Sequence, residues 1–337
     1  MEEYMKRQSY SPKAIAETGI MFVIIMLIML ITTTIPALAF IGMFILPIPI
    51  ILLYTRYNFK VAFTAIIMSI IVMSLFFGPV TALASGISYG LTGCAFGYCI
   101  RNKNKNTVLL TIVSGSILIG NIITYLIYAL FIGKQGIVNT LNYSIDKIRQ
   151  YYIDINAIYI QQNGSPDVAN TINQLINLIN LKNVLIVLPI VLIINSLIQG
   201  YINHIITYKI LVRLKIEMKK PTPVSEFYVS NRIIALSIII TCLGVILKSR
   251  GIMWAGYLRY IFEYISIILV TFDGMSYLTY MLRRKYKRSK GLTIIILIIG
   301  FVIPLFQQLY LVLGSADILL NLRGLDPDPI RKVKSRE

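Results

Sequence analysis

From Gly19 to Tyr54 the chain carries no charged side chain. That run exceeds the roughly 20 apolar residues that cross a bilayer, and others like it follow. Lipid offers no water to unpaired backbone groups, so such runs fold as helices that bond their own amides. A run this long has to hold two of them, and Pro36 is the natural division. Composition agrees: 57% of residues are hydrophobic and 14% charged, against about 25% charged in soluble domains. A soluble globular domain is excluded, and so is a disordered chain, which would be poor in apolar residues. The expected fold class is all-α, a polytopic transmembrane helix bundle of about nine spans.

The apolar runs predict helices over 14–35, 37–55, 60–77, 80–99 and 107–132, then 183–208, 232–247, 255–282 and 292–313. The expected organisation is a cytoplasmic N-terminus (1–13), transmembrane helices 1–5 (14–132), an extracytoplasmic segment (133–182), helices 6–9 (183–313) and a charged C-terminal tail (314–337). Ala37-Leu38-Ala39 resembles a cleavage site, but a signal h-region is only about 7–15 residues long. The first run therefore reads as an uncleaved membrane helix.

The net charge of +18 comes from short basic clusters between apolar runs. With the N-terminus inside, the inside links up to residue 290 carry 20 Lys and Arg and the outside links 7, which is the bias that orients membrane helices. No nucleic-acid reading motif accompanies the charge, so no nucleic-acid partner is expected. The tail breaks the pattern. Nine spans place it outside, yet it holds Arg323, Arg331, Lys332, Lys334 and Arg336. Either the last run turns back at Pro304, with Gln307 and Gln308 at the turn and 305–322 returning, or an earlier segment does not span.

Between 139 and 182, Leu141, Ile145, Ile148, Tyr152, Ile155 and Tyr159 step by four and three, one face of a helix. Asn163-Gly164 makes a turn, Ser165-Pro166 starts a second helix, and Val168, Ile172, Leu175 and Ile179 form its apolar face. This predicts an amphipathic hairpin, either a lid or a packing element.

Catalytic signatures are missing. One histidine, His204, and three cysteines, Cys94, Cys99 and Cys242, form no metal or redox spacing. No nucleotide loop or nucleophile motif occurs. No enzyme activity and no cofactor are expected. Charges inside spans cost about 2.5–3.5 kcal/mol each and ask for partners. Arg259 stands four residues before Glu263 and can neutralise it. Asp273 has no partner along its own helix. Asp273, Glu263 and Arg259 are the candidate substrate-binding residues. In the fourth helix Gly86 and Gly90, with Gly93 and Gly97, form small-residue faces for helix packing or a partner contact.

Four segments carry a resemblance: PIPIILLYTRYNFK at 47–60, GPVTALASGISYGLTGCAFGYCIRNK at 78–103, FDGMSYLTYML at 272–282 and GSADILLNLR at 314–323. Together they resemble the YybS-like family of bacterial multi-pass membrane proteins, a domain family without assigned function. Its most specific element is Gly-x-x-Asp-x(5)-Arg, here Gly314, Asp317 and Arg323; Asn321-Leu322 departs from the acidic or aromatic pair more usual there. The family is distantly similar to the substrate-binding S components of energy-coupling-factor transporters, which have six helices with both termini inside. The first six helices here fit that pattern, and three further ones have no counterpart in it. The resemblance implies a bacterial cytoplasmic membrane location, a small-molecule ligand, and a transmembrane coupling subunit with ATPases as partners beside the lipid bilayer. The alternative is a scaffold or regulator that binds other cell-envelope proteins.

Overall fold

The computed structural model describes residues 12–131, 136–252 and 254–326. Every regular element among them is helical. The chain is a polytopic all-α membrane bundle, and seven of its helical runs are long and apolar enough to cross a bilayer.

The first unit comprises residues up to 184 together with 191–221. Helix α1 (Pro12–Thr34) ends on three threonines. Thr32, Thr33 and Thr34 donate to the carbonyls of Ile28, Met29 and Leu30 at 2.7–2.8 Å, which hides their hydroxyls from lipid. Ile35 is extended ahead of Pro36, as a residue before proline prefers. Helices α2 (Pro36–Ile45) and α3 (Pro47–Arg56) follow one another through a helical Leu46, so Pro47 divides a single apolar run. Helix α4 (Phe59–Phe77) starts on an Asn58 cap, whose Oδ1 accepts from the Val61 N–H at 3.0 Å. It stops at Gly78, where φ is +81°, a conformation that favours glycine. Helices α5 (Pro79–Arg101), α6 (Asn106–Phe131) and α9 (Leu181–Arg213) bring the apolar segments to six.

Helix α5 lies at the centre of this unit. A Cβ at Gly93 would stand 2.6 Å from Ile50 of α3, and one at Gly97 would stand 2.4 Å from the Tyr54 ring. On the other face Gly86 and Gly90 meet Ile70 and Ile66 of α4. Close approach of this kind supplies dispersion contacts, the main attraction between helices in lipid. The core is mostly aliphatic: Ile25, Met29, Leu46, Leu53 and Met73 in one cluster, and Ile51, Val113 and Leu211 around Phe96 in another.

Helices α7 (Ile137–Gln161) and α8 (Pro166–Leu178) form the amphipathic hairpin. Asn163 takes the left-handed turn at φ +58°. Asn156 donates to Asn173 at 2.9 Å and Arg149 to the Ile179 carbonyl at 2.9 Å. Much of the apolar face stays uncovered, with Ile148 50% and Leu175 49% exposed.

The second unit comprises 185–190 and the chain from 222 onward. Helices α10 (Asn231–Ser249) and α11 (Ala255–Tyr280) pack together. Gly244 lies against the Arg259 backbone, and Ser237 and Ser266 share a 2.7 Å hydrogen bond. Helix α11 ends in a π turn over Met281–Lys285 that holds Arg283, Arg284 and Lys285.

The expected ninth span, 292–313, is corrected. The chain forms α12 (Lys290–Val302) and α13 (Pro304–Leu320) around an extended Ile303. Pro304 cannot donate to the helical ladder and disfavours helix at the residue before it. The two helices fold back on one another: the Tyr310 hydroxyl lies 3.2 Å from the Leu297 carbonyl and against Gly300. The charged tail was expected to begin at 314, but helix continues to Leu320, because the residues after Gln308 remain mostly apolar.

Candidate functional site

Helix α11 places Asp273, Ser276 and Tyr277 within one turn of its inner face. Helix α13 runs beside it. A Cβ at Gly274 would lie 1.9 Å from the Tyr310 carbonyl, and one at Gly314 would lie 2.0 Å from the Val270 carbonyl. The two backbones therefore touch at a pair of glycines, which brings Asp317, three residues past Gly314, beside Asp273.

The end of α13 completes the cluster. Asn321 is left-handed at φ 47° and ψ 51°, a conformation asparagine tolerates. Its N–H donates to the Asp317 carbonyl at 2.7 Å. The chain thereby reverses, and Arg323 returns to Asp317. Its backbone N–H donates to Asp317 Oδ1 at 3.1 Å and its Nε to Oδ2 at 2.8 Å. Nη2 donates to Asp273 Oδ1 at 2.9 Å. Nη1 donates to the Phe227 carbonyl at 2.7 Å, to the Ser225 carbonyl at 3.3 Å and to the Ser276 hydroxyl. The Ser276 hydroxyl also stands 2.6 Å from the Val224 and Phe227 carbonyls, and the Val229 N–H donates to Asp273 Oδ1 at 3.1 Å.

One guanidinium thus ties four pieces of chain: α11, α13, the C-terminal segment and the 224–229 link. Its side chain is 0% exposed, that of Asp273 1% and that of Asp317 6%. Burial of this depth is costly unless every polar group is bonded. The planar fork of arginine reaches more acceptors in one plane than an ammonium can. The cluster has the chemistry of a charged clasp with an acidic excess, two carboxylates to one base.

Glu263 and Arg259 do not join it. They pair with each other at 3.5 Å, half exposed, on α11, and Glu263 stands ten residues from Asp273, about 15 Å along the axis. Gly86, Gly90, Gly93 and Gly97 are occupied by α3 and α4. His204 is buried edge-on to Phe96. No group of three or more metal-ligating side chains occurs among the described residues. In the first unit a small cleft is lined by Ile25, Met29, Leu46, Ile50, Ile66, Ser69, Gly86 and Tyr89; the Ser69 hydroxyl there is spent on the Ala65 carbonyl. Sequence reasoning overlooked Ser276, Tyr310 and the 224–229 link. Ser276 was the findable one, a hydroxyl three residues from a buried aspartate.

Fold and site define a multi-pass membrane protein whose C-terminal unit is locked by a buried charge cluster. A family model described as a predicted membrane protein (DUF2232) matches residues 23–318, which include the helices of both units and the Gly314–Asp317 portion of the motif. The chain belongs to that family. It is 23% identical over 316 residues to the uncharacterized protein YybS of Bacillus subtilis (strain 168), covering 93% of this chain and 98% of that one. No solved structure matches.

Proposed function

We propose that the protein is a non-catalytic, solute-binding membrane subunit that works with a separate coupling protein and ATPases. It would sit in the bacterial cytoplasmic membrane with its N-terminus inside. The observation that carries this reading is the division of the chain. Five apolar segments, α1, α2–α3, α4, α5 and α6, and most of a sixth, α9, group into one compact unit, while residues 185–190 of α9 group with α10–α13. Six is the number of helices in the S components of energy-coupling-factor transporters. The small cleft lined by Ile25, Met29, Ile66 and Tyr89 is mostly apolar but has room for no more than about one water as it stands, so a solute would have to open it; the α7–α8 hairpin belongs to the same unit. The Asp273 cluster is spent on Arg323 and leaves little for a solute. The chain has no nucleotide loop, so energy has to come from partners.

A second reading, a scaffold for other envelope proteins, is favoured by the mostly aliphatic filling of the core. It is weakened because the small-residue faces of α5 are already covered within the chain. Mass spectrometry of the tagged protein, purified gently from its own membranes, separates the two. Coupler and ATPase subunits, or a stoichiometric small molecule, support the transport reading. Envelope proteins without a bound small molecule refute it and leave the scaffold.

A further inference from the structure

The buried cluster does not balance its charges. Asp273 and Asp317 face a single base, Arg323, and all three side chains are almost wholly buried. With both carboxylates ionised the site carries one negative charge in a medium of low dielectric, where unpaired charge is most expensive. The hydrogen bonds show where the imbalance falls. Asp273 Oδ1 accepts from Arg323 and from the Val229 N–H, and both Asp317 oxygens accept from Arg323. Asp273 Oδ2 is buried and receives no donor from the described residues. Arg323 Nη2 lies 2.9 Å from Asp273 Oδ1 and 2.8 Å from Asp317 Oδ2, so the two carboxylates flank one nitrogen. Two carboxylate oxygens can bond to each other only through a proton.

We propose that Asp273 and Asp317 bind one proton between them, so that the resting cluster is a neutral set of one guanidinium, one carboxylate and one carboxylic acid. The groups facing it are few. Helix α11 contributes Tyr277, the residue after Ser276. The 224–229 link contributes backbone groups, with Glu226 turned to Arg284. Helix α10 carries its charges at its ends, Arg232 and Lys248, and α12 carries Lys290 at its start. Among the described residues the only base bonded to either carboxylate is Arg323, and a proton is the partner that would meet the second negative charge. Loss of that proton sets two carboxylates against each other around the residue that holds the C-terminal segment. Proton occupancy is thereby coupled to the grip on that segment and on the 224–229 link. The proton site stands whichever partner the membrane subunit serves.

Infrared spectroscopy of the full chain in lipid at neutral pH tests it. The wild type should show the carbonyl stretch of a protonated carboxyl group, shifted in heavy water. D273N and D317N should each lose that band, because one carboxylate remaining against Arg323 stays ionised, while E263Q should keep it. No such band in the wild type overturns the proposal, with no need for any variant to fold. A band that survives in both D273N and D317N overturns it too, by placing the proton elsewhere. The double variant D273N/D317N leaves the guanidinium without a counter-charge. It should lose its folded yield while the two single variants retain theirs; equal loss in the singles would show that both negative charges are needed and would count against the shared proton.

Discussion

Arg323 donates to five partners, Asp273, Asp317, Ser276 and the Ser225 and Phe227 carbonyls, and its identity is the narrowest requirement of the site. R323Q removes the base and leaves two acids buried together. Breaking a buried ion pair in this way costs about 3–5 kcal/mol, and it should appear as a large fall in the detergent melting temperature. R323K keeps the charge but loses the fork that reaches Asp273, Asp317, Phe227 and Ser276 together, so it should melt between wild type and R323Q. A lysine variant as stable as wild type would mean that charge alone suffices. Half of this site was legible in the sequence. Asp273 stands out because a charge in an apolar helix needs a partner, and Asp317 and Arg323 stand out as a spaced motif. Their union was not legible. It joins residues 50 apart and depends on α13 lying against α11, which follows from a fold-back that the sequence left as one of two alternatives.

At the scale of the helix, glycine spacing sets how near two backbones come. Gly274 and Gly314 are in mutual backbone contact, so even a methyl group forces α11 and α13 apart. G274A and G314A should each lower stability by about 1–3 kcal/mol, the range for overpacking, measured as a drop in melting temperature. Gly115 of α6 has open space where a Cβ would stand. G115A should be neutral or slightly stabilising, since glycine costs about 0.5–1 kcal/mol against alanine inside a helix. A G314A protein that melts with G115A would refute the backbone contact. The small-residue run of α5 was visible from its spacing, but spacing does not say which neighbour fills each face. That neighbour turns out to be α3 at Gly93 and Gly97 and α4 at Gly86 and Gly90. Helix ends were read closely where a cap or breaker marks them, as at Asn163-Gly164, Ser165-Pro166 and Gly78-Pro79. The last run was left between one span and a turn at Pro304, because its hydropathy continues across Pro304 while its hydrogen-bond ladder does not.

For the whole molecule, the unsettled quantity is the number of crossings, and the hairpin of α12 and α13 bears on it directly. Thirteen residues of α12 rise about 20 Å, short of the roughly 30 Å hydrocarbon core. Helix α13 then returns beside it, and Arg323 ends against Ser276 and the 224–229 link. Arg323 is thereby brought to the end of α11 that carries the basic turn over Met281–Lys285. This suits the charge rule: with the tail on the inside, the Lys and Arg count becomes 25 inside to 7 outside. The arrangement predicts eight crossings and a re-entrant hairpin, with both termini inside. A fluorescent protein fused after Glu337 should then fold and fluoresce, since the inside compartment supports it, and alkaline phosphatase at the same place should be inactive. Phosphatase fused after Ser249, between α10 and α11, should be active. An active phosphatase at the C-terminus would require α12 and α13 together to cross once. Arg323 would then lie on the far side from the basic turn, contrary to its bonds with Phe227 and Ser276, and the clasp would have to open in the membrane.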